Sequence, residues 1–113
     1  MAGLADPRLA KAISALHADP ARGWNLDAMA GLAGMSRARF AAHFTRTVGM
    51  PPGDYLTGWR LGLARTLLRK GLAVKQVAAE VGYASPGAFG RVFLQRLDTT
   101  PTKWQHRDAG ARP

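Results

Sequence analysis

The chemistry this sequence carries in quantity is that of the guanidinium group. Between Arg37 and Lys75 stand eight basic residues, Arg37, Arg39, Arg46, Arg60, Arg65, Arg69, Lys70 and Lys75, against one acid, Asp54. A planar, permanently charged fork of N–H donors pairs with phosphates and with guanine edges, so so one-sided a stretch is suited to a polyanion. The whole chain has the same bias: sixteen Lys and Arg against seven Asp and Glu leave a net charge of +9 on 113 residues. A nucleic acid is the partner such a field attracts.

Other chemistries find no footing. There is no cysteine, which removes disulfides, thiolate metal sites and thiol nucleophiles. His17, His43 and His106 fall at no metal-ligand spacing, so no metal and no cofactor are expected. Gly82-Tyr-Ala-Ser-Pro-Gly87 has one residue too many before its serine for a nucleophile elbow, and no phosphate-binding Gly-Lys-Ser/Thr motif exists. The expectation is a protein that is not an enzyme. The longest charge-free run, Val81 to Gly90, is about half of what a bilayer span needs. Met1 to Asp6 lacks the basic and apolar regions of a secretion signal, so a cytoplasmic place and no membrane partner are expected.

The elements that must position the arginines are all helical, and no strand pattern is present. Asp6-Pro7 opens a first helix with Leu9, Ile13 and Leu16 on one face, and Asp19-Pro20 closes it. Asn25 caps a second from Leu26 to Ala33, ended by Gly34, and Ser36 caps a third with Phe40, Phe44 and Val48 on one stripe. A fourth, from about Pro52 to Lys70, is roughly 28 Å long, with Leu56, Trp59, Leu63 and Leu67 expected along its buried side. A fifth spans Val74 to Val81. A sixth starts at Ser85-Pro86 and buries Phe89, Phe93 and Leu97; a seventh begins at Thr100-Pro101 around Trp104, before a frayed end. Trp59, Trp104 and Tyr55 are expected in apolar cores rather than as base-stacking platforms.

Helices two and three and helices five and six are one pattern written twice. Leu26, Met29, Ala30, Ala33, Gly34 and Met35 fall on Val74, Val77, Ala78, Val81, Gly82 and Tyr83; after one extra residue, Ser36, Phe40, Phe44 and Val48 fall on Ser85, Phe89, Phe93 and Leu97. A short helix with a small Ala at its middle, a Gly turn and a Ser-capped helix make a helix-turn-helix, whose second helix enters a major groove. At 100° per residue, the face opposite the aromatic stripe carries Ala38, Arg39, Ala42, Thr45 and Arg46 in the first copy. In the second it carries Gly87, Ala88, Arg91, Leu94 and Gln95.

This order of motifs resembles the DNA-binding domain of the AraC/XylS family of transcription regulators, from Asp6-Pro7-Arg8-Leu9 to Trp104. The most specific parts are Leu26-Asp-Ala-Met-Ala-Gly-Leu-Ala-Gly-Met-Ser-Arg-Ala-Arg-Phe40, Tyr55-Leu-Thr-Gly-Trp-Arg-Leu61, and Val77-Ala-Ala-Glu-Val-Gly-Tyr83 with Phe89 and Phe93. The resemblance implies an all-α fold of seven helices, with two helix-turn-helix subdomains (about 7–50 and 72–107) joined by a central helix (52–70). The two reading helices would lie in successive major grooves, roughly 34 Å apart on an asymmetric site, in a single DNA-binding domain that regulates transcription. Such a domain would have double-stranded DNA and RNA polymerase as partners. The family often places a sensing, dimerising β-rich domain ahead of it, which here would end near Leu4 to Arg8; the family also contains stand-alone short regulators. The sequence departs from the family pattern at Ala73, where a capping Ser is usual, at Trp104, where Tyr is usual, and in the small residues Ala38, Ala41, Ala42, Gly87, Ala88 and Gly90.

The expected DNA-binding residues are Ser36, Arg37, Ala38, Arg39, Ala42 and Arg46 in the first copy and Ser85, Gly87, Arg91 and Gln95 in the second. Arg91, the one long donor at the centre of its face, is the candidate for base readout, with Gln95 next. Arg37 is placed for a phosphate or for a solvated surface role, Arg39 for base or phosphate, and Arg46, nearer the helix end, is expected to behave as a phosphate contact. Leu94 could touch a thymine methyl. Arg60 is expected to brace structure. All clear apolar stripes are used internally, so the isolated domain is expected to be a monomer. The competing reading is a cationic protein that coats nucleic acid without reading sequence.

Overall fold

A computed structural model describes residues 6–111 of the chain, and among these it has seven helices and no strand. The helices are α1 (Pro7–Ala18), α2 (Leu26–Ala33), α3 (Arg37–Val48), α4 (Pro52–Arg69), α5 (Val74–Glu80), α6 (Pro86–Leu97) and α7 (Pro101–Ala111). α4 and α5 each stop one residue short of the expected ends, because the last turn of a helix frays. α7 runs to Ala111, and of the last few residues expected to fray, 112–113 lie outside the described residues. So does Leu4, the first residue of the expected junction.

Capping chemistry sets most of these boundaries. The Asp6 carboxylate accepts from the backbone N–H of Arg8 at 3.0 Å and Leu9 at 3.3 Å, satisfying two of the donors a helix start leaves unpaired. Asn25 does the same for Ala28 at 2.8 Å, Ser36 for Arg39 at 3.3 Å and Ser85 for Ala88 at 3.1 Å. Ala73, as its side chain dictates, makes no such bond. The turn inside each helix-turn-helix is closed identically. Gly34 donates to Gly31 and Met35 to Ala30, while Gly82 donates to Ala79 and Tyr83 to Ala78. Both glycines have positive φ, 68° and 103°, which an L side chain adopts only at a cost.

The chain divides into two compact units, Met1–Trp59 and Arg60–Pro113. The core of the first is built from Leu9, Ile13 and Leu16 of α1, Met29, Ala30 and Ala33 of α2, Phe40 and Phe44 of α3, and Leu56 of α4. Trp24 closes the α1–α2 loop over it, its indole N–H donating to the Asp19 carbonyl at 2.7 Å. The core of the second is Leu61, Ala64 and Leu68 of α4, Val77 and Ala78 of α5, Val81, and Phe89 and Phe93 of α6. Ala30 and Ala78 are both buried, as small residues at a close helix crossing must be. Val48 and Leu97 are only half-buried.

The central helix departs from the expected stripe. Its start serves the first core through Leu56 and its remainder the second through Leu61, Ala64 and Leu68, with Leu63 and Leu67 only partly covered. One helix feeding two cores cannot keep one buried register along its length, which is why the regular Leu56-Trp59-Leu63-Leu67 spacing misleads. Trp59 is 40% exposed rather than in the core; its ring stacks on His17 with centroids 3.7 Å apart. Tyr55 meets its expected apolar neighbour, edge-on to Phe44 at 5.7 Å, and Trp104 stands edge-on to Phe93 at 6.2 Å. The offset that relates Ser36 to Ser85 also relates Tyr55 to Trp104, so the repeat extends into the helix after each reading helix.

Candidate nucleic-acid interface

On α3 the aromatic stripe is buried and the opposite face is open: Ala38, Arg39, Ala42, Thr45 and Arg46 are all exposed. Thr45 turns its hydroxyl back onto the Ala41 carbonyl at 2.8 Å. Arg37, in the first turn beside the exposed Ser36, forms a 3.2 Å ion pair with Asp27 of α2. Both partners are solvated, so the pair contributes about 0–1 kcal/mol and leaves the arginine easily recruited.

Arg39, Ala42, His43 and Arg46 lie along one flank of α3, at the i, i+3, i+4, i+7 spacing. With Arg8 of α1 and Met35 of the turn they line a concavity of about 390 Å³. His43 is half-buried, and its Nε2 is 2.6 Å from Asp6 Oδ2. That hydrogen bond is the main reason the Asp6 carboxyl is held below its ordinary range; the Leu9 and Arg8 N–H groups add to it, and desolvation opposes it. Sequence reasoning missed this bond, which ties the start of α1 to α3, and missed Arg8 beside it.

On α6, Ser85, Gly87, Arg91, Leu94 and Gln95 are exposed, while Ala88 and Gly90 are half-buried. Arg91 folds back along the helix, one guanidinium nitrogen lying 3.9 Å from the point a Cβ on Gly87 would occupy. The missing side chain at Gly87 therefore leaves the ground over which the Arg91 guanidinium lies. Among the described residues no carboxylate is paired with Arg39, Arg46 or Arg91.

Arg60 braces structure as expected. It is half-buried with its guanidinium 5.6 Å from the centre of the Tyr83 ring, and burial lowers its pKa while raising that of Tyr83. His17, whose Nε2 shares a 2.8 Å hydrogen bond with the Tyr55 hydroxyl, is held below its ordinary pKa by burial. No cluster of three or more His, Asp or Glu that could hold a metal occurs among the described residues, and no helix there is long and apolar enough to cross a membrane.

Residues 29–107 match a family model described as a helix-turn-helix domain. An AraC-like transcription regulator of Streptomyces lividans is 45% identical over 102 residues, 89% of this chain and 34% of that protein. The regulatory protein SoxS of Escherichia coli K12 is 33% identical over 84 residues, 74% of this chain and 78% of SoxS. Among solved structures, the DNA-binding domain of the global transcriptional factor AdpA, in complex with a target DNA, superimposes with a TM-score of 0.89 at 27% identity, covering 96% of this chain and 97% of that one. The chain spans about a third of the length of the first curated relatives it matches.

Proposed function

Because the chain belongs to the AraC-type helix-turn-helix family, we propose that it binds double-stranded DNA sequence-specifically through α3 and α6 and so regulates transcription. The observation that carries this reading is the duplication itself. Each unit presents a Ser-capped helix whose aromatic stripe is buried and whose opposite face is open, with Arg39 and Arg46 on one and Arg91 on the other paired to no carboxylate among the described residues. A coat protein that ignores sequence requires the charge but neither the paired turns nor the buried stripes. The relative solved with its target DNA supports the same reading.

In this reading Arg91 takes a guanine through two parallel N–H donations, with Gln95 and Leu94 beside it. Arg37 and Arg46 take phosphates, Arg39 reaches either phosphate or base, and the open N-terminal turns after Ser36 and Ser85 face the backbone. Ala38, Ala42 and Gly87 let the helices approach closely. The isolated domain is a monomer bound to an asymmetric site. In the longer proteins of this kind a sensing domain would supply the signal, RNA polymerase would receive it, and the cytoplasm, where the chromosome lies, is the place of action.

Selection of bound duplexes from a random pool tests the proposal. A recovered nonpalindromic motif, bound well above its scrambled version in a band-shift titration, is the expected result. Equal affinity for both duplexes would leave only non-specific coating.

A further inference from the structure

The concavity beside α3 gathers more positive charge than the helix-turn-helix contributes. Arg39 and Arg46 reach it from α3 across Ala42, and Arg8 reaches it from α1, a helix outside the motif. Asp6, the nearest carboxylate in sequence, is committed to His43 and to the backbone of α1. Among the described residues no carboxylate is paired with any of the three guanidinium groups. Three cations turned into one space repel one another unless an anion comes between them. Ala42 keeps the space open where a longer side chain would fill it.

Resting on the reading of α3 as a DNA-facing helix, we infer that this concavity seats one phosphodiester of the duplex and that Arg8 is a DNA-contacting residue. The Asp6–His43 hydrogen bond positions it, because it fixes the first turn of α1, which carries Arg8, against the flank of α3. Phosphate is the chemistry that fits: a tetrahedral oxyanion accepts from several guanidinium forks at once, and charge-assisted bonds of this kind are the strong ones. Arg8 contributes affinity and register but no base preference.

The test is titration of the full chain with the selected duplex and a scrambled one across a salt series. Arg8→Ala should weaken both duplexes by about tenfold and shrink the salt slope by about one phosphate. Lys11→Ala, which removes the same charge from an exposed position of α1 that does not line the concavity, should change affinity by less than about twofold. Duplexes with single methylphosphonate substitutions should reveal one phosphate whose neutralisation weakens the wild type clearly more than it weakens Arg8→Ala, in which only Arg39 and Arg46 remain to hold it. Matching thermal melts establish that the variants are folded, and Arg8→Gln provides a second variant with the same expected loss. If the wild type binds duplex and Arg8→Ala behaves like Lys11→Ala, the phosphate seat is overturned while DNA binding stands. If the wild type binds no duplex at low salt, DNA binding falls and the seat with it. Titration with inorganic phosphate, followed by side-chain NMR, separates the sources. Saturable binding that Arg8→Ala abolishes, with duplex affinity unchanged, would assign the concavity to a free anion and overturn the duplex contact.

Discussion

The two units share a skeleton and differ in what they put on it. Both bury a pair of phenylalanines, cross their helices at an alanine and set an aromatic ring from the following helix edge-on to the second phenylalanine. Outside the core they part. The first unit surrounds its reading helix with arginines, from α1 as well as α3, whereas the second presents Arg91 among Gly87, Leu94 and Gln95. Core positions are held by packing that tolerates little change in volume, while outward positions are free to diverge. In the proposed reading two copies of one frame divide the work, the first mainly gripping the backbone and the second mainly reading bases.

The shared skeleton is tested by the largest effect. Phe44→Ala and Phe93→Ala should each cost about 3–5 kcal/mol in denaturant unfolding, since each empties a fully enclosed ring site. A much smaller cost in one would mean that the two cores are not equivalent. The divided labour is tested by the next. Arg91→Ala should cost about 1–3 kcal/mol at the selected site and relax preference at one base pair, with little change in folding stability. Arg46→Ala should weaken selected and scrambled duplexes alike. If Arg91→Ala also weakens every sequence equally, the second helix is an anchor and specificity lies around Arg39 or in DNA shape.

Smaller still is the difference in caps. Ala73→Ser should raise stability by about 1 kcal/mol and Asn25→Ala should lower it by a similar amount, read from the shift in denaturant midpoint. Acidity should act on the first unit with the smallest effect. His17 has its pKa lowered by burial, so the unfolded chain takes up its proton first, and stability falls as pH drops below the ordinary value of 6.5. Asp6 has a depressed carboxyl; its contribution is complete above the ordinary value of 3.8 and is lost as pH falls through the lower folded value. His17→Phe should remove the first phase of a stability–pH profile and Asp6→Asn the second.

What was legible in the sequence was local. Asn25, Ser36 and Ser85 cap their helices by reaching three residues along the chain, Gly34 and Gly82 answer a backbone need within one turn, and Phe40 with Phe44 declares a face by spacing alone. The open faces of α3 and α6 followed from those stripes. Trp59 was misplaced because a single periodicity was read through a helix that serves two cores. The hydrogen bond between Asp6 and His43 joins residues 37 apart, and Arg8 reaches the concavity only because the tertiary fold brings the start of α1 beside α3. Nothing in the spacing of a first-turn arginine reveals the neighbours that tertiary packing will bring to it.

Gln105 sets how short a working domain can be. Its side-chain amide donates to the carbonyls of Leu68, in the last turn of α4, at 3.0 Å and of Leu72, in the loop that follows, at 2.8 Å, and so adds to the Gly71 N–H that Leu68 already accepts at 2.9 Å. A chain trimmed before this residue loses this side-chain tie to both carbonyls, and trimmed one residue further it loses the Trp104 ring against Phe93. An expression boundary, a protease cut or a frameshift that removes the last helix would expose Phe93 and with it the frame on which Arg91 stands.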